Sequence, residues 1–407
     1  MKRYALPLLL GLAVACGEAD RDDDDGLLTE RDGGTEQVQD GGETPRDGGM
    51  AARDGGEDPG RDGGPNTTGP IEAPFDEWTW VDVPDSRCMN ETPTGFGVNI
   101  HENATSLVIF LMGGNACFND SSCFVTANRD GYGASKFAND SVLGAPVFDR
   151  SAQSNYLAEW SYVYVPYCSG DVFSGTSGRT QVGSGSYYFQ GYDNIGLFLE
   201  RIVATFPNVD RVLLTGVSAG GFGAMLNFER TQLAFGTSVD VTLIDDSGPP
   251  MSTDYLASCL QDHWRNTWGM EDGPLATCPT CVDMDGAFVE GYLDHIKTTF
   301  PTNRFGLISS NADEVIRGFF GFGTNNCANL NGLPGNYPGT RFQMGLEDFR
   351  DNLVGDVDNF KLYMPTDTRH VWLGNPPWQT THFGVTLQDW MVDAIEDRAG
   401  WSHVPAP

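Results

Sequence analysis

The sequence predicts an α/β domain over residues 71–407, with a mainly parallel sheet covered by helices on both faces. Three observations carry that reading. Apolar runs of strand length recur along the chain. They are continuous rather than alternating, as strands are when both faces of their sheet are buried. Helical periodicities lie between and after them, and strands that alternate with helices form parallel sheets.

The strand candidates are 106–112, 162–166, 211–215, 239–244, 305–309 and 360–364. In 194–206 the apolar residues Ile195, Phe198, Leu199, Ile202, Val203 and Phe206 follow the spacing of one helix face. Leu387, Trp390, Met391, Ala394 and Ile395 repeat that pattern near the end of the chain. The Gly- and Cys-rich stretch 251–300 reads as an insertion covering one end of the sheet. No composition shift inside 71–407 divides it into two domains.

The first seventy residues differ in texture. Met1-Lys2-Arg3, a short apolar stretch and Cys16 form a signal peptide pattern over 1–16. Leu12-Ala13-Val14-Ala15-Cys16 resembles a bacterial lipobox, which makes Cys16 the expected lipidation site. Residues 17–70 repeat Asp-Gly-Gly, contain no aromatic residue and carry 16 acids against 5 bases. Such a segment buries too little apolar surface to offset its ordering entropy, so a disordered acidic linker is expected. The implied location is that of an exported bacterial lipoprotein on the outer membrane or cell surface, attached through its N-terminal lipid only.

The full 407-residue chain has a formal charge of -32, from 24 Lys and Arg against 56 Asp and Glu. That excess excludes a general nucleic-acid binder, which needs clustered cations. It disfavours electrostatic attachment to anionic lipid and repels polyanionic substrates. No run reaches the ~18 apolar residues of a membrane span. Apart from Cys16, eight cysteines remain, an even number that suggests up to four disulfides in an exported protein. Cys278-Pro279-Thr280-Cys281 is read as part of that framework rather than as a zinc or redox motif.

The most informative segment is Gly216-Val217-Ser218-Ala219-Gly220. An apolar strand runs into it, and a helix-compatible segment, 224–235, runs out. This Gly-x-Ser-x-Gly arrangement is a nucleophile elbow. The sharp turn lifts a serine hydroxyl above the sheet, and its glycines allow helix and strand to approach closely. Ser218 then needs a base, and the base an orienting acid. His370, on the loop after the 360–364 strand, is the first candidate for the base, with His382 as the alternative. Asp313, after the 305–309 strand, is the first candidate for the acid. Asp246, after 239–244, is the alternative, and whichever of the two is not the acid caps its turn or braces the site. An oxyanion needs preorganised N–H donors. Ala219 offers one, and the Gly-rich loop after 106–112, through Gly114, Asn115 and Ala116, offers the others.

Together these residues resemble the pectin acetylesterase/Notum family. The likeness rests on Gly113-Gly114-Asn115-Ala116-Cys117-Phe118, on Tyr167-Cys168-Ser169-Gly170-Asp171-Val172 with Gly175, on the elbow, on Asn311-Ala312-Asp313-Glu314 and on Arg369-His370. It implies an α/β-hydrolase-like fold and a Ser218, Asp313, His370 triad, with no metal and no organic cofactor. Asn115 stands where the family usually has glycine; Asn tolerates positive φ better than most residues. Ala116 replaces a Trp of some members, and Asp171 is expected to brace the site rather than react. The expected function is an exported serine carboxylic-ester hydrolase acting on an acylated substrate. The family suggests O-acetyl groups on a carbohydrate, and the acid excess points away from strongly anionic polymers. The alternatives are a catalytically silent surface-binding lipoprotein, or a lipase or peptidase, on the same scaffold.

Overall fold

The structure, a computed structural model, describes residues 69–405. The signal peptide, Cys16 and the acidic linker as far as residue 68 lie outside the described residues.

Eight strands form the central sheet: β1 (Thr79–Val83), β2 (Thr94–Asn99), β3 (Ser106–Leu111), β4 (Ser161–Val165), β5 (Arg211–Val217), β6 (Asp240–Asp246), β7 (Phe305–Ile308) and β8 (Phe360–Tyr363). Their order is β1-β2-β4-β3-β5-β6-β7-β8. From β4 to β8 every neighbour is parallel. The pairs β1–β2 and β2–β4 are antiparallel. Six of these strands are the expected apolar runs. The edge pair β1 and β2 is an addition that the sequence pattern conceals. Gly95 and Gly97 interrupt β2, yet a Cβ on Gly95 would lie 1.9 Å from Val81 O and one on Gly97 2.3 Å from the Phe137 ring. Close packing, not looseness, requires glycine there.

Both faces are covered. Leu107, Ile109, Leu111, Val212 and Leu214 join one core, and helix α1 (Gly191–Thr205) packs there through Ile195, Phe198, Leu199 and Ile202. The alternate residues Val108, Phe110 and Leu213 face a second core, closed by Trp390, Met391 and Ile395 of the C-terminal helix, Leu387–Ile395. This is the period-2 geometry of a strand read on its two sides. Helix α2 (Ala219–Leu226) begins at the elbow itself, earlier than the helix expected at 224–235. It ends at Asn227, whose amide donates to Phe173 O (2.9 Å) and Gly223 O (2.8 Å), and the chain resumes as α3 (Phe228–Phe235).

Four disulfides join Cys88 to Cys168, Cys117 to Cys123, Cys259 to Cys327 and Cys278 to Cys281. Among the described residues no helix is long and apolar enough to cross a membrane.

Candidate active site

Parallel strands bring their carboxyl ends to one edge of the sheet, where the loops of such folds gather a site. The loop 113–116 follows β3, Ser218 follows β5, Asp246 ends β6, Asp313 follows β7 and His370 follows β8.

Ser218 occupies φ 59°, ψ -121°, a conformation that costs a non-glycine residue of order 1–3 kcal/mol. The turn is tight enough that a Cβ on Gly216 would sit 2.2 Å from Gly220 O, and one on Gly220 2.0 Å from Leu111 O. The Ser218 N–H donates to Asp246 O at 2.7 Å, which ties the elbow to the end of β6. Among the described residues the Ser218 hydroxyl has no protein hydrogen bond.

The loop after β3 lies directly against the serine, since a Cβ on Gly113 would come within 2.8 Å of Ser218 Cβ. Asn115 adopts φ 67°, so the residue replacing glycine takes the left-handed conformation that asparagine tolerates. Its amide donates to Val125 O (2.8 Å). The Cys117–Cys123 disulfide and the bond from Trp268 Nε1 to Cys117 O (2.8 Å) hold the far end of the loop. Among the described residues the N–H groups of Gly114, Asn115, Ala116 and Ala219 donate to no protein acceptor. They are available to a developing oxyanion.

Asp313 is fully buried and its two oxygens do different work. Oδ1 caps helix α4 (Glu314–Phe320) by accepting from Val315 N (2.9 Å) and Ile316 N (3.0 Å). Oδ2 lies 2.7 Å from His370 Nδ1. That contact puts the Nδ1 proton toward the carboxylate and leaves Nε2 as the basic nitrogen. The loops carrying the pair are zipped together: Asn311 N donates to Pro365 O, Ala312 N to Asp367 O, Glu314 N to Thr368 O and Ser310 Oγ to Arg369 O.

His382, the alternative base, is elsewhere. It lies in a two-stranded hairpin with its ring edge-on to Trp372 at 5.0 Å, and burial lowers its pKa. Asp246, the alternative acid, is buried and makes no hydrogen bond to the imidazole; its carboxylate accepts from Trp372 N (2.6 Å) and Leu373 N (2.8 Å). Asp171 accepts from Ser169 Oγ (2.5 Å), Phe173 N (3.0 Å) and Gly191 N (2.8 Å), as a brace does. Its pKa is raised by burial. Cys278, Cys281 and His295 hold donor atoms within 4.8 Å of one another, but the disulfide commits both sulfurs.

Sequence reasoning missed the pocket beside Ser218. Its cavity volume is about 50 Å³, a narrow apolar cleft against the roughly 300–1,000 Å³ usual for small-molecule sites. Ser218 and Asn115 are its polar lining residues; Phe222 and Met225 come from α2, Trp264 and Trp268 from the 251–300 insertion, and Ile316 and Phe319 from α4. The insertion was legible as an element over the sheet. Its apolar residues carry the same signal as core residues, so their role was not.

A family model described as Pectinacetylesterase matches residues 78–272. That match and the relatives it accompanies support the pectinacetylesterase/Notum family for this chain. The chain is similar to the palmitoleoyl-protein carboxylesterase notum1a of Danio rerio, with 28% identity over 40% of this chain and 33% of the relative. It is also similar to the human palmitoleoyl-protein carboxylesterase NOTUM, with 28% identity over 35% of this chain and 29% of the relative. These matches span about a third of the relatives' own length. The solved structure of the Wnt deacylase Notum from Drosophila shares the fold, with a TM-score of 0.55 at 18% identity, covering 81% of this chain and 99% of that one.

Proposed function

We propose that the protein is a serine carboxylic-ester hydrolase. The observation that carries this is a strained serine and a cluster of free N–H groups at an apolar pocket, with an aspartate–histidine pair on loops at the same edge of the sheet. Ser218 Oγ attacks the ester carbonyl while His370 Nε2 takes its proton. The N–H groups of Ala219 and the 114–116 loop hold the oxyanion. The alcohol leaves with the proton returned by His370, and water repeats the sequence on the acyl-enzyme.

The pocket bears on the acyl group. Its wall from Met225 to Phe319 is apolar, which suits an aliphatic acyl group rather than a polar one. The net charge of -23 over residues 71–407 favours a neutral alcohol portion over an anionic polymer. We further propose export and anchoring through lipid on Cys16, testable by metabolic labelling with palmitate and its loss in Cys16→Ser.

The experiment for the activity is a panel of p-nitrophenyl esters and acetylated glycans, with Ser218→Ala as control. Activity on esters, lost in Ser218→Ala, is the expected result. Equal background rates for both proteins on every ester would reject the esterase reading.

A further inference from the structure

Asp246 has more bonds to the site than a spare acid needs. Its backbone oxygen receives the Ser218 N–H at 2.7 Å. Its Oδ2 receives the N–H groups of Trp372 (2.6 Å) and Leu373 (2.8 Å), and its Oδ1 receives the Ser247 hydroxyl (2.9 Å). Ser247 Oγ in turn accepts from Val371 N at 3.2 Å. The three residues that follow His370 therefore end on Asp246 and its neighbour. Within that stretch Val371 holds φ 60°, a conformation that a β-branched residue avoids unless its surroundings impose it. One buried residue thus links the nucleophile, through its main chain, to the base, through its side chain.

We propose that Asp246 is the positioning residue of the base: its carboxylate holds the 371–373 turn so that His370 is presented to Ser218. The proposal rests on the esterase reading of Ser218 and His370. The bonds to Trp372 and Leu373 are charge-assisted, which makes them stronger than neutral ones.

The charged groups around Asp246 are His370 and Arg369 on the histidine loop, Asp313 beyond the imidazole and Asp245 beside it on β6. The Arg369 guanidinium lies over the Trp372 ring at 4.6 Å. Asp245 is buried, its Oδ2 has no hydrogen-bond partner, and burial raises its pKa well above the usual range. Burial raises Asp246 to about 6, against the opposing N–H bonds of Leu373 and Trp372, so it is ionised at neutral pH and protonated in mild acid.

The test compares Asp246→Asn, Asp246→Ala and Ser218→Ala on a soluble p-nitrophenyl ester across pH 5–9. Asn has the volume of Asp and keeps an acceptor for the two N–H groups, so it removes the charge and only reverses the Ser247 bond, in which the amide then donates to the hydroxyl oxygen. Its kcat is expected to fall about tenfold. The acid limb of kcat/KM should become a single-proton limb, because the Asp246 carboxyl that titrates at about 6 is gone. Ala releases the turn, and kcat should fall about a hundredfold, as a displaced catalytic group does. KM should stay within about threefold in both, since Asp246 does not line the pocket. A purely structural brace would leave the pH limb of the Asn variant in place. Asp246→Asn with the kcat and acid limb of the wild type overturns the proposal. Should Ser218→Ala retain activity, the esterase reading itself fails, a result that the Asp246 variants cannot mimic.

Discussion

Asp313 carries two duties on two oxygens, and one substitution separates them. In Asp313→Asn the amide oxygen can still accept from Val315 N and Ile316 N, which lie 2.9 and 3.0 Å from Oδ1. The amide NH₂ then replaces Oδ2, 2.7 Å from His370 Nδ1. A donor at that position makes Nδ1 the acceptor and moves the ring proton to Nε2, where the serine proton has to go. The base is blocked by its own tautomer. An activity loss of about 10⁴-fold follows for a triad of this kind, or about 5.4 kcal/mol of barrier. Stability is a separate matter. The cap survives in Asn, so Tm should stay within about 1 °C. In Asp313→Ala the cap is lost as well, at about 1–2 kcal/mol, or roughly 1.5–3 °C for a domain of this size. The measurements are ester hydrolysis under saturating substrate and thermal unfolding by circular dichroism. An Asn variant retaining more than about a tenth of wild-type activity would refute Asp313 as the orienting acid. Equal Tm losses in Asn and Ala would refute the division of labour between the two oxygens.

If the apolar pocket receives the acyl chain, each added methylene should raise kcat/KM by up to about fourfold, the equivalent of ~0.8 kcal/mol, until the pocket is full. A flat series from acetate to octanoate would show that the chain does not enter. Ala116→Trp places an indole in the pocket that Ala116 lines and should turn the preference back to acetate. Asn115→Gly should retain activity within about threefold, whereas Asn115→Val, forced to φ 67° without the Val125 bond, should cost about 1–2 kcal/mol of stability, read from urea unfolding. His403 accepts a bond from Leu362 N through Nδ1, and burial lowers its pKa to about 4. The unfolded chain binds that proton near 6.5 and the folded chain only near 4, so this part of the stability is complete above 6.5 and lost as pH falls toward 4. His403→Gln should flatten the rise of the urea midpoint between those two pH values.

Local chemistry was legible in the chain. The elbow can be read because its constraint is short-range: Gly216, Ser218 and Gly220 answer to one turn between a strand and a helix. The order of Ser218, Asp313 and His370 follows from successive strand ends of a parallel sheet, so apolar runs were enough to place them on one edge. Asn115 showed its backbone requirement through its residue type. The edge strand β2 was hidden because Gly95 and Gly97 carry a loop signal, and only their neighbours Val81 and Phe137 reveal that they are close-packed.

Asp246 and Asp313 look alike in sequence, each an aspartate after a strand. Three-dimensional placement gives Asp313 the imidazole and Asp246 the turn beyond it, since the difference lies in contacts made across 57 and 126 residues of chain. The pocket was decided by tertiary structure alone. Its wall is assembled from residues between Asn115 and Phe320, each an ordinary apolar residue in its own segment. The sequence by itself determined which polar groups stand at the strand ends, because residue type and local spacing belong to the chain. Folding decided which of them meet and what space lies beside them, because a cavity is a space between distant segments and no one of them contains it.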